Sequence, residues 1–245
     1  MVRKKLEQKD ARRLLGGAPV CIVTTAWRTV PNAMPVAWSM PVSVDPPLIA
    51  IVVHPSRHTH DMIKFGEEFA LNVPSRVITN HTQWLGLVSG INADKLEASR
   101  LPFFRAKEID APLLEGCVGW IECTMHDHYV MGDHTLFVGR VVAAQADTTA
   151  FDFESGLWLL QDDEYKPLMY LGGKSYSLMQ PPFDAEVEQR SVEQMEEEGF
   201  GAQLEEIEFE RARKREEEEE RRDVQERRGE TPPDESALPR ELPEA

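Results

Sequence analysis

The 245 residues carry 43 Asp and Glu against 27 Lys and Arg, a formal net charge of −16, which argues against a nucleic-acid binder because such proteins need a basic face. The three cysteines form no Cys-x-x-Cys pair, so we expect no disulfide framework and a reducing compartment. No apolar run approaches the roughly 18 residues of a membrane span and none forms a signal-peptide core, so we expect a cytoplasmic protein without a membrane segment.

The acidic charge is concentrated at the end of the chain. Residues 1–183 carry a net charge of −3, whereas residues 184–245 carry −13, with five successive glutamates at 216–220. We predict a globular domain at 1–183 and an acidic tail at 184–245, because so few apolar residues cannot offset the entropy lost when a chain orders. The tail is either a charged helix or disordered, and a protein partner is one candidate ligand for it.

Extended segments dominate the first part of the chain. After a short amphipathic helix or arm at 3–15, β-branched and apolar residues predict strands at 19–27, 33–43 and 48–54, with a turn at 28–32. Because proline donates no backbone hydrogen bond, Pro35 and Pro41 place the second strand at an edge, at a bulge or in irregular structure.

Short helices follow the third strand, and further strands complete the domain. We predict a helix at 55–68, a strand at 69–75, helical pieces at 77–99, and strands at 117–130, 134–147 and 166–179. A parallel sheet would need a crossover helix between successive strands, and the sequence does not show such an alternation of strands and helices. The pattern therefore predicts a mainly β fold with short helices, closed into an antiparallel barrel.

The junction between the third strand and the first helix is a candidate anion site. Ser56, Arg57 and Thr59 stand where the helix begins, and free backbone N–H groups, hydroxyls and a guanidinium together suit a phosphate. The alternative is plain helix capping by Ser56 or Thr59 with Arg57 in solvent, and the local sequence alone favours it.

Two other features have a functional and a plainer interpretation. The proline-bearing segment 31–43 leaves backbone groups without strand partners, which suits either a flat heteroaromatic ring or a bulged edge strand facing water. His134, just after the turn at 131–133, is either a proton carrier at a cleft or a surface residue. For Trp27, Trp38 and Trp84, core packing is the favoured interpretation.

Other catalytic classes lack their motifs. Histidines spaced two apart, at 58 and 60 and at 126 and 128, would suit a metal only with further ligands, and no cysteine or carboxylate cluster supplies them. The chain has no G-x-S-x-G, no G-x-G-x-x-G and no Walker motif. We therefore predict no metal site, no hydrolase triad and no Rossmann or P-loop nucleotide site.

Five segments in this order resemble the flavin reductase-like, FMN-binding split-barrel family over about residues 14–180. They are PNAMPVAWSMPVSVDPPLIAIVVHPSRHT (31–59), FALNVPS (69–75), SGINADKLEASRL (89–101), GDHTLFVGRV (132–141) and KPLMYLGGKSY (166–176). MPVS followed by DPP is most similar to the ferric reductase and flavoredoxin-like branch. The resemblance implies an α+β Greek-key antiparallel barrel, and a homodimer that binds FMN near the subunit interface.

The resemblance also implies site residues. The irregular strand along the isoalloxazine ring maps to Met40, Pro41, Val42 and Ser43. The phosphate site maps to Ser56, Arg57 and Thr59. Other segments around the flavin map to Asn72, Ser89, Asp94, Lys95, Lys174 and Tyr176. His134 falls near the flavin and the nicotinamide donor and is the candidate catalytic residue.

The implied activity is an oxidoreductase in which NADH or NADPH reduces bound FMN, with free flavin, a ferric chelate or a protein as electron acceptor. A flavin carries the redox chemistry itself, which agrees with the lack of a triad or metal motif. Two alternatives stay open. One is a flavoredoxin-like electron-transfer protein without a nicotinamide site, and the other is a non-enzymatic barrel whose acidic tail binds a partner.

Overall fold

The computed structural model of the chain describes residues 6–183 and Arg213. Its strands are β1 (Ala18–Pro19), β2 (Cys21–Trp27), β3 (Val30–Val36), β4 (Ser39–Ser43), β5 (Leu48–Val53), β6 (Glu68–Pro74), β7 (Phe103–Phe104), β8 (Leu113–Leu114), β9 (Cys117–Met131), β10 (His134–Ala146), β11 (Phe151–Asp152), β12 (Leu157–Trp158), β13 (Leu168–Gly172) and β14 (Ser175–Leu178). Its α-helices are α1 (His58–Gly66), α2 (Thr79–Leu87) and α3 (Lys95–Ser99), with 3-10 helices at Gln8–Leu15 and Arg76–Ile78. The tail predicted at 184–245 lies outside the described residues, apart from Arg213.

Seven strands form one antiparallel sheet in the order β3-β2-β6-β9-β10-β5-β4. Its two outermost strands, β3 and β4, are neighbours in sequence with only Ala37 and Trp38 between them. The three steps from Val36 to Ser39 span at most about 11 Å. The sheet must therefore curl until its edges approach each other, which makes it a barrel with a seam between β3 and β4.

The predicted fold class, a mainly β antiparallel barrel with short helices, is confirmed. The single strand expected at 33–43 is wrong, because this segment forms two strands at opposite edges of the sheet. Its prolines lie where their chemistry requires, since Pro35 is in edge strand β3 and Pro41 is in edge strand β4 beside a bulge. Within the described residues, no helix has the length and apolar character to cross a membrane.

Three hairpins differ from the prediction. The turn expected at 28–32 is a two-residue connection, because Arg28 and Thr29 both take positive φ and Val30 already pairs with Trp27. The last predicted strand, 166–179, is a hairpin of β13 and β14. The short pair β11 and β12 is missed, since two-residue strands carry too little pattern to detect.

Apolar side chains fill the barrel. All of β2 is buried except Trp27, and its side chains pack with those of β5, β6, β10 and α1. Gly139 on β10 allows the tightest approach, because a Cβ there would lie 2.5 Å from the ring of Phe69 and 2.7 Å from Cβ of Cys123. Any larger residue at 139 must displace the barrel wall.

Two carboxylates inside the sheet hold an external loop by its backbone. Glu122 on β9 is 1% exposed and accepts the N–H groups of residues 107 and 108 at 2.7–3.1 Å. Glu68 on β6 accepts those of residues 110 and 111, each at 2.9 Å. Burial is the main cause that raises the pKa of Glu68. The loop therefore depends on buried acceptors rather than on its own secondary structure.

We predict that Glu122→Ala lowers the free energy of unfolding by about 3 kcal/mol, because it removes a buried carboxylate that accepts hydrogen bonds from the N–H groups of residues 107 and 108. Urea unfolding followed by tryptophan fluorescence measures the change. Glu115→Ala, at an exposed position, is the matched control and should cost under about 0.5 kcal/mol. Equal effects of the two substitutions would contradict the structural role of Glu122.

Candidate functional site

A cavity of about 360 Å³ opens at the seam of the barrel, and we call it the seam cavity. Its walls are residues 34–38 from the β3–β4 connection, the β5–α1 junction, residues 86–90 after α2, and the side chains of Arg12, Lys95 and His134. Because β3 is an edge strand, its outer backbone groups face this space rather than another strand. The cavity is thus a direct product of the way the sheet closes.

The N-terminus of α1 faces the seam cavity without a side-chain cap. The helix begins at His58, and Arg57 is its N-cap residue with extended backbone and no capping hydrogen bond. The hydroxyl of Thr59 instead accepts a hydrogen bond of 2.8 Å from Nδ2 of Asn32 on β3. Capping by Ser56 or Thr59 is therefore wrong, whereas the exposure of Arg57 that this alternative expected is confirmed. The N–H of His60 already donates to the carbonyl of Arg57 at 2.9 Å, so the N–H groups of His58 and Thr59 are the ones that keep their capacity for an anion.

A buried cation lines the same cavity. Lys95 is 5% exposed, and its Nζ donates to the carbonyl oxygens of Ala33 at 3.0 Å and Leu85 at 2.8 Å. Burial, and secondly the positive charge of Arg57, lower the pKa of Lys95 from 10.5 to about 8. Among the described residues, no carboxylate forms an ion pair with either cation. One buried cation, Lys95, and one exposed cation, Arg57, therefore lie beside the α1 N-terminus without an ion-pair partner among the described residues.

The composition of the cavity wall agrees with an anionic ligand. Arg12, Arg57 and Lys95 contribute three cationic side chains, and the described wall includes no Asp or Glu. The chain as a whole has a net charge of −16, so this positive site contrasts with its surroundings. A buried charge without a partner is costly, and a bound phosphate would offset that cost.

Aromatic and imidazole rings border the cavity beside this cationic group. The ring of His134 lies 5.0 Å from that of Trp38 and 5.1 Å from that of His54, between centroids. Asp133 accepts from Nδ1 of His134 at 2.6 Å, and this hydrogen bond is the main cause that lowers the pKa of Asp133. This hydrogen bond orients the imidazole at the cavity wall.

The structure brings six of the predicted site residues together around the seam cavity: Ser56, Arg57, Thr59, Ser89, Lys95 and His134. It does not bring the others to this wall in the single chain. Residues 40–43 form the exposed edge strand β4, and the cavity is lined by residues 34–38 instead. The role of residues 40–43 in ring binding therefore stays a prediction, and residues 34–38 are the part of the segment that lines the cavity.

The remaining predicted residues make structural contacts. Asn72 is fully buried and donates to the carbonyl of Ile22 at 2.9 Å while accepting from the N–H of Leu114 at 2.8 Å. Asp94 caps α3 by accepting from the N–H of residue 97 at 3.0 Å. Lys174 is exposed beside the β13–β14 turn, and the hydroxyl of Tyr176 donates to Gln83 at 3.0 Å.

Sequence reasoning missed four residues of the seam cavity. Core packing for Trp38 is wrong, since it is 44% exposed and lines the wall. Arg12 and His54 also line the wall but carried no motif. Gly90 could have been recognised from its residue type. A Cβ at this position would lie 2.4 Å from Oδ1 of Asn32, so only glycine fits beside this side chain.

Within the described residues, no group of three or more His, Cys, Asp or Glu side chains is placed to hold a metal ion. The two histidine pairs have other contacts. His60 is buried, with Nε2 at 2.9 Å from the hydroxyl of Thr135, and His128 stacks on Phe137 with centroids 6.0 Å apart. His58 lines the seam cavity, whereas His60, the other histidine of its pair, is absent from the described cavity wall.

Comparison with known proteins gives four informative similarities. A model of the flavin reductase like domain matches residues 15–179. YddH of Escherichia coli (strain K12) is 35% identical over 176 residues, 70% of this chain and 92% of YddH. An NADH-dependent FAD reductase of Streptomyces globisporus is 29% identical over 146 residues, 56% of this chain and 76% of the reductase. The crystal structure of an FMN-binding protein from Thermus thermophilus with bound 1-cyclohex-2-enone is 25% identical with a TM-score of 0.65, and the match covers 76% of this chain and 99% of that one.

Proposed function

Because the chain belongs to the flavin reductase-like domain family, as its five segments predict, we propose that it binds FMN and uses NADH or NADPH to reduce a flavin or ferric acceptor. The observation that carries the proposal is the uncompensated cationic group at the α1 N-terminus, in a cavity bordered by aromatic rings. FMN has an aromatic ring system, which suits the aromatic border of the cavity, and a phosphate, which suits its cationic group.

The residues of the seam cavity fit the phosphate of FMN. Arg57, Lys95 and the hydroxyl of Ser56 would hold it, because charge-assisted hydrogen bonds to phosphate are about twice as strong as neutral ones. The uncapped N-terminus of α1 would add backbone donors. Thr59 would donate its hydroxyl hydrogen to the phosphate, because the hydroxyl oxygen accepts from Asn32 and its O–H is still free to donate.

The ring of the flavin would lie against residues 34–38. This segment offers the outer backbone groups of an edge strand, and polar ring atoms need such partners. The side chain of Trp38 provides an exposed aromatic surface beside it. Bound FMN supplies the hydride and electron-transfer chemistry, whereas the chain binds, orients and excludes water.

His134 is the residue we assign to the reacting end of the site. Its Nδ1 is engaged by Asp133, which leaves Nε2 to orient the nicotinamide donor or to hold a proton. Because Asp133 is exposed, this pair fixes the ring without closing the cavity to solvent. A donor can therefore approach past His134 while the phosphate site stays occupied.

We also propose that the chain is a homodimer, with Met40, Pro41, Val42 and Ser43 of β4 near the second subunit. Met40 is 53% and Val42 43% exposed, so the single chain leaves apolar side chains on an unpaired strand edge. The acidic tail remains a candidate site for a protein partner. A solution mass of one chain, measured by light scattering, would contradict the dimer.

The function is tested by adding NADH or NADPH to the FMN-loaded chain without oxygen and following flavin absorbance near 450 nm, roughly the usual flavin band. We expect bleaching by at least one donor. If neither donor bleaches the flavin while a protein reductant does, the chain is a flavoredoxin-like carrier. If the chain takes up no FMN at all, it is a non-enzymatic barrel.

In the same experiment, we predict that His134→Asn lowers the maximal rate of flavin reduction by at least about tenfold, because a positioned imidazole contributes that much or more to such steps. The FMN dissociation constant should stay within about twofold of wild type. His126→Asn, an exposed histidine on β9, is the control. A wild-type rate in His134→Asn would remove this residue from the mechanism.

Arg57→Ala should weaken FMN binding about tenfold to a hundredfold, because it removes a charge-assisted phosphate contact of roughly 1.5–3 kcal/mol. Fluorescence titration with FMN and with riboflavin measures the effect. Riboflavin has no phosphate, so its affinity should not change. Arg105→Ala is the matched control, since Arg105 is exposed outside the cavity wall. Unchanged FMN affinity in Arg57→Ala refutes the phosphate assignment.

FMN affinity should also depend on pH through Lys95. In the free protein this amine loses its proton above about pH 8, whereas a paired phosphate raises its pKa, so binding above that pH requires proton uptake. The dissociation constant should therefore rise above pH 8, by at most about tenfold per pH unit. Titrations between roughly pH 7 and 9.5 measure this. Equal pH dependence for riboflavin would contradict the role of Lys95.

A further inference from the structure

A second cavity adjoins the seam cavity, and we call it the arm cavity. It has a volume of about 520 Å³, within the range of small-molecule sites. Arg12, Ala37 and Trp38 line both cavities, so the two cavities lie side by side. The far wall of the arm cavity is the glycine turn at 172–173 between β13 and β14. The arm cavity therefore offers room beside a ligand in the seam cavity.

The near wall of the arm cavity comes from the N-terminal arm, the 3-10 helix Gln8–Leu15. Arg12 and Arg13 stand in the last turn of this helix, and both side chains line the cavity. The family match begins only at residue 15. These two arginines are therefore contributed by a segment outside the family domain, and the family's common site does not account for them.

The charge of the arm cavity favours an anion. Its described wall has two arginines and no carboxylate. Arg13 is held by Asp10, with Nε and Oδ1 3.0 Å apart, and its side chain is still 69% exposed. Such an exposed ion pair is weak, so an anionic ligand can compete for the guanidinium. The exposed indole of Trp38 offers a stacking surface between the two cationic groups.

We propose that the arm cavity binds the phosphate-bearing part of a nicotinamide dinucleotide, with Arg12 and Arg13 as its anion-binding residues. The choice of ligand rests on the proposed function, which requires a donor of this class next to the seam cavity. The two cavities extend from the rings around His134, past Trp38, to the two arginines. Through Arg13, which lines the arm cavity and is absent from the described wall of the seam cavity, the N-terminal arm thereby determines donor affinity separately from FMN affinity.

The test is calorimetric titration of NADP⁺ into the full-length FMN-loaded chain and into the FMN-free chain. Arg13→Gln is the informative variant, because Arg13 lines the arm cavity and is absent from the described wall of the seam cavity. We expect its NADP⁺ dissociation constant to rise fivefold to tenfold, roughly the loss of one phosphate contact. Its FMN dissociation constant should stay within about twofold of wild type. The wild-type NADP⁺ affinity should also fall with added salt more steeply than that of the variant.

Two control variants distinguish the loss of the positive charge of Arg13 from a change in the structure of the N-terminal arm. Asp10→Asn breaks the same ion pair but frees Arg13, so NADP⁺ affinity should hold or improve. Arg105→Gln makes the same charge change at an exposed position elsewhere. Unchanged NADP⁺ affinity in Arg13→Gln overturns the inference, as does equal weakening in Asp10→Asn or Arg105→Gln, or inorganic phosphate binding as tightly as NADP⁺.

The outcomes for the two proposals are distinguishable. If the chain takes up no FMN but binds NADP⁺ in an Arg13-dependent way, the proposed function fails and the arm site stands. If FMN binds and is reduced while Arg12→Gln and Arg13→Gln leave the half-saturating donor concentration unchanged, the proposed function stands and the arm site fails.

Discussion

The two-residue connection from β3 to β4 is the constraint on which the site depends. Ala37 and Trp38 join strands at opposite edges of a seven-stranded sheet, and a chain this short forces those edges together. An edge strand normally leaves unpaired backbone groups in solvent, where they invite aggregation. Here closure brings them to a cavity wall beside the start of α1, so the step that completes the barrel also forms the seam cavity.

The second determinant is electrostatic. Folding buries Lys95 beside Arg57, and its amine donates hydrogen bonds to two carbonyl oxygens. Burial lowers the pKa of this amine and reduces the stability of the ligand-free chain. Elsewhere in the fold, Glu122 is buried in a structural role, where it accepts backbone N–H groups. The described wall of the seam cavity contains no carboxylate, which agrees with the anionic ligand that we propose.

The sequence predicted the fold class and six of the residues that line the seam cavity, for physical reasons that differ between residues. Long alternating strands and the uninterrupted apolar run of β5 identified the barrel, and the hydroxyls and guanidinium at 56–59 identified the start of α1. The sequence did not predict three residues of the cavity wall, Arg12, Trp38 and His54, because closure of the barrel, rather than a local pattern, brings them to the cavity. Residues 40–43 were expected at the ring because nothing in the local pattern reveals that the chain changes sheet edge after Val36.

The central claim is that the seam cavity, rather than another part of the barrel, receives the flavin with its phosphate toward α1. A crystal structure of the full-length chain grown with FMN tests it most directly. The account predicts phosphate oxygens within hydrogen-bonding distance of Arg57 and Lys95, and a ring system against residues 34–38. Flavin density elsewhere on the barrel, or a phosphate pointing away from α1, would contradict it.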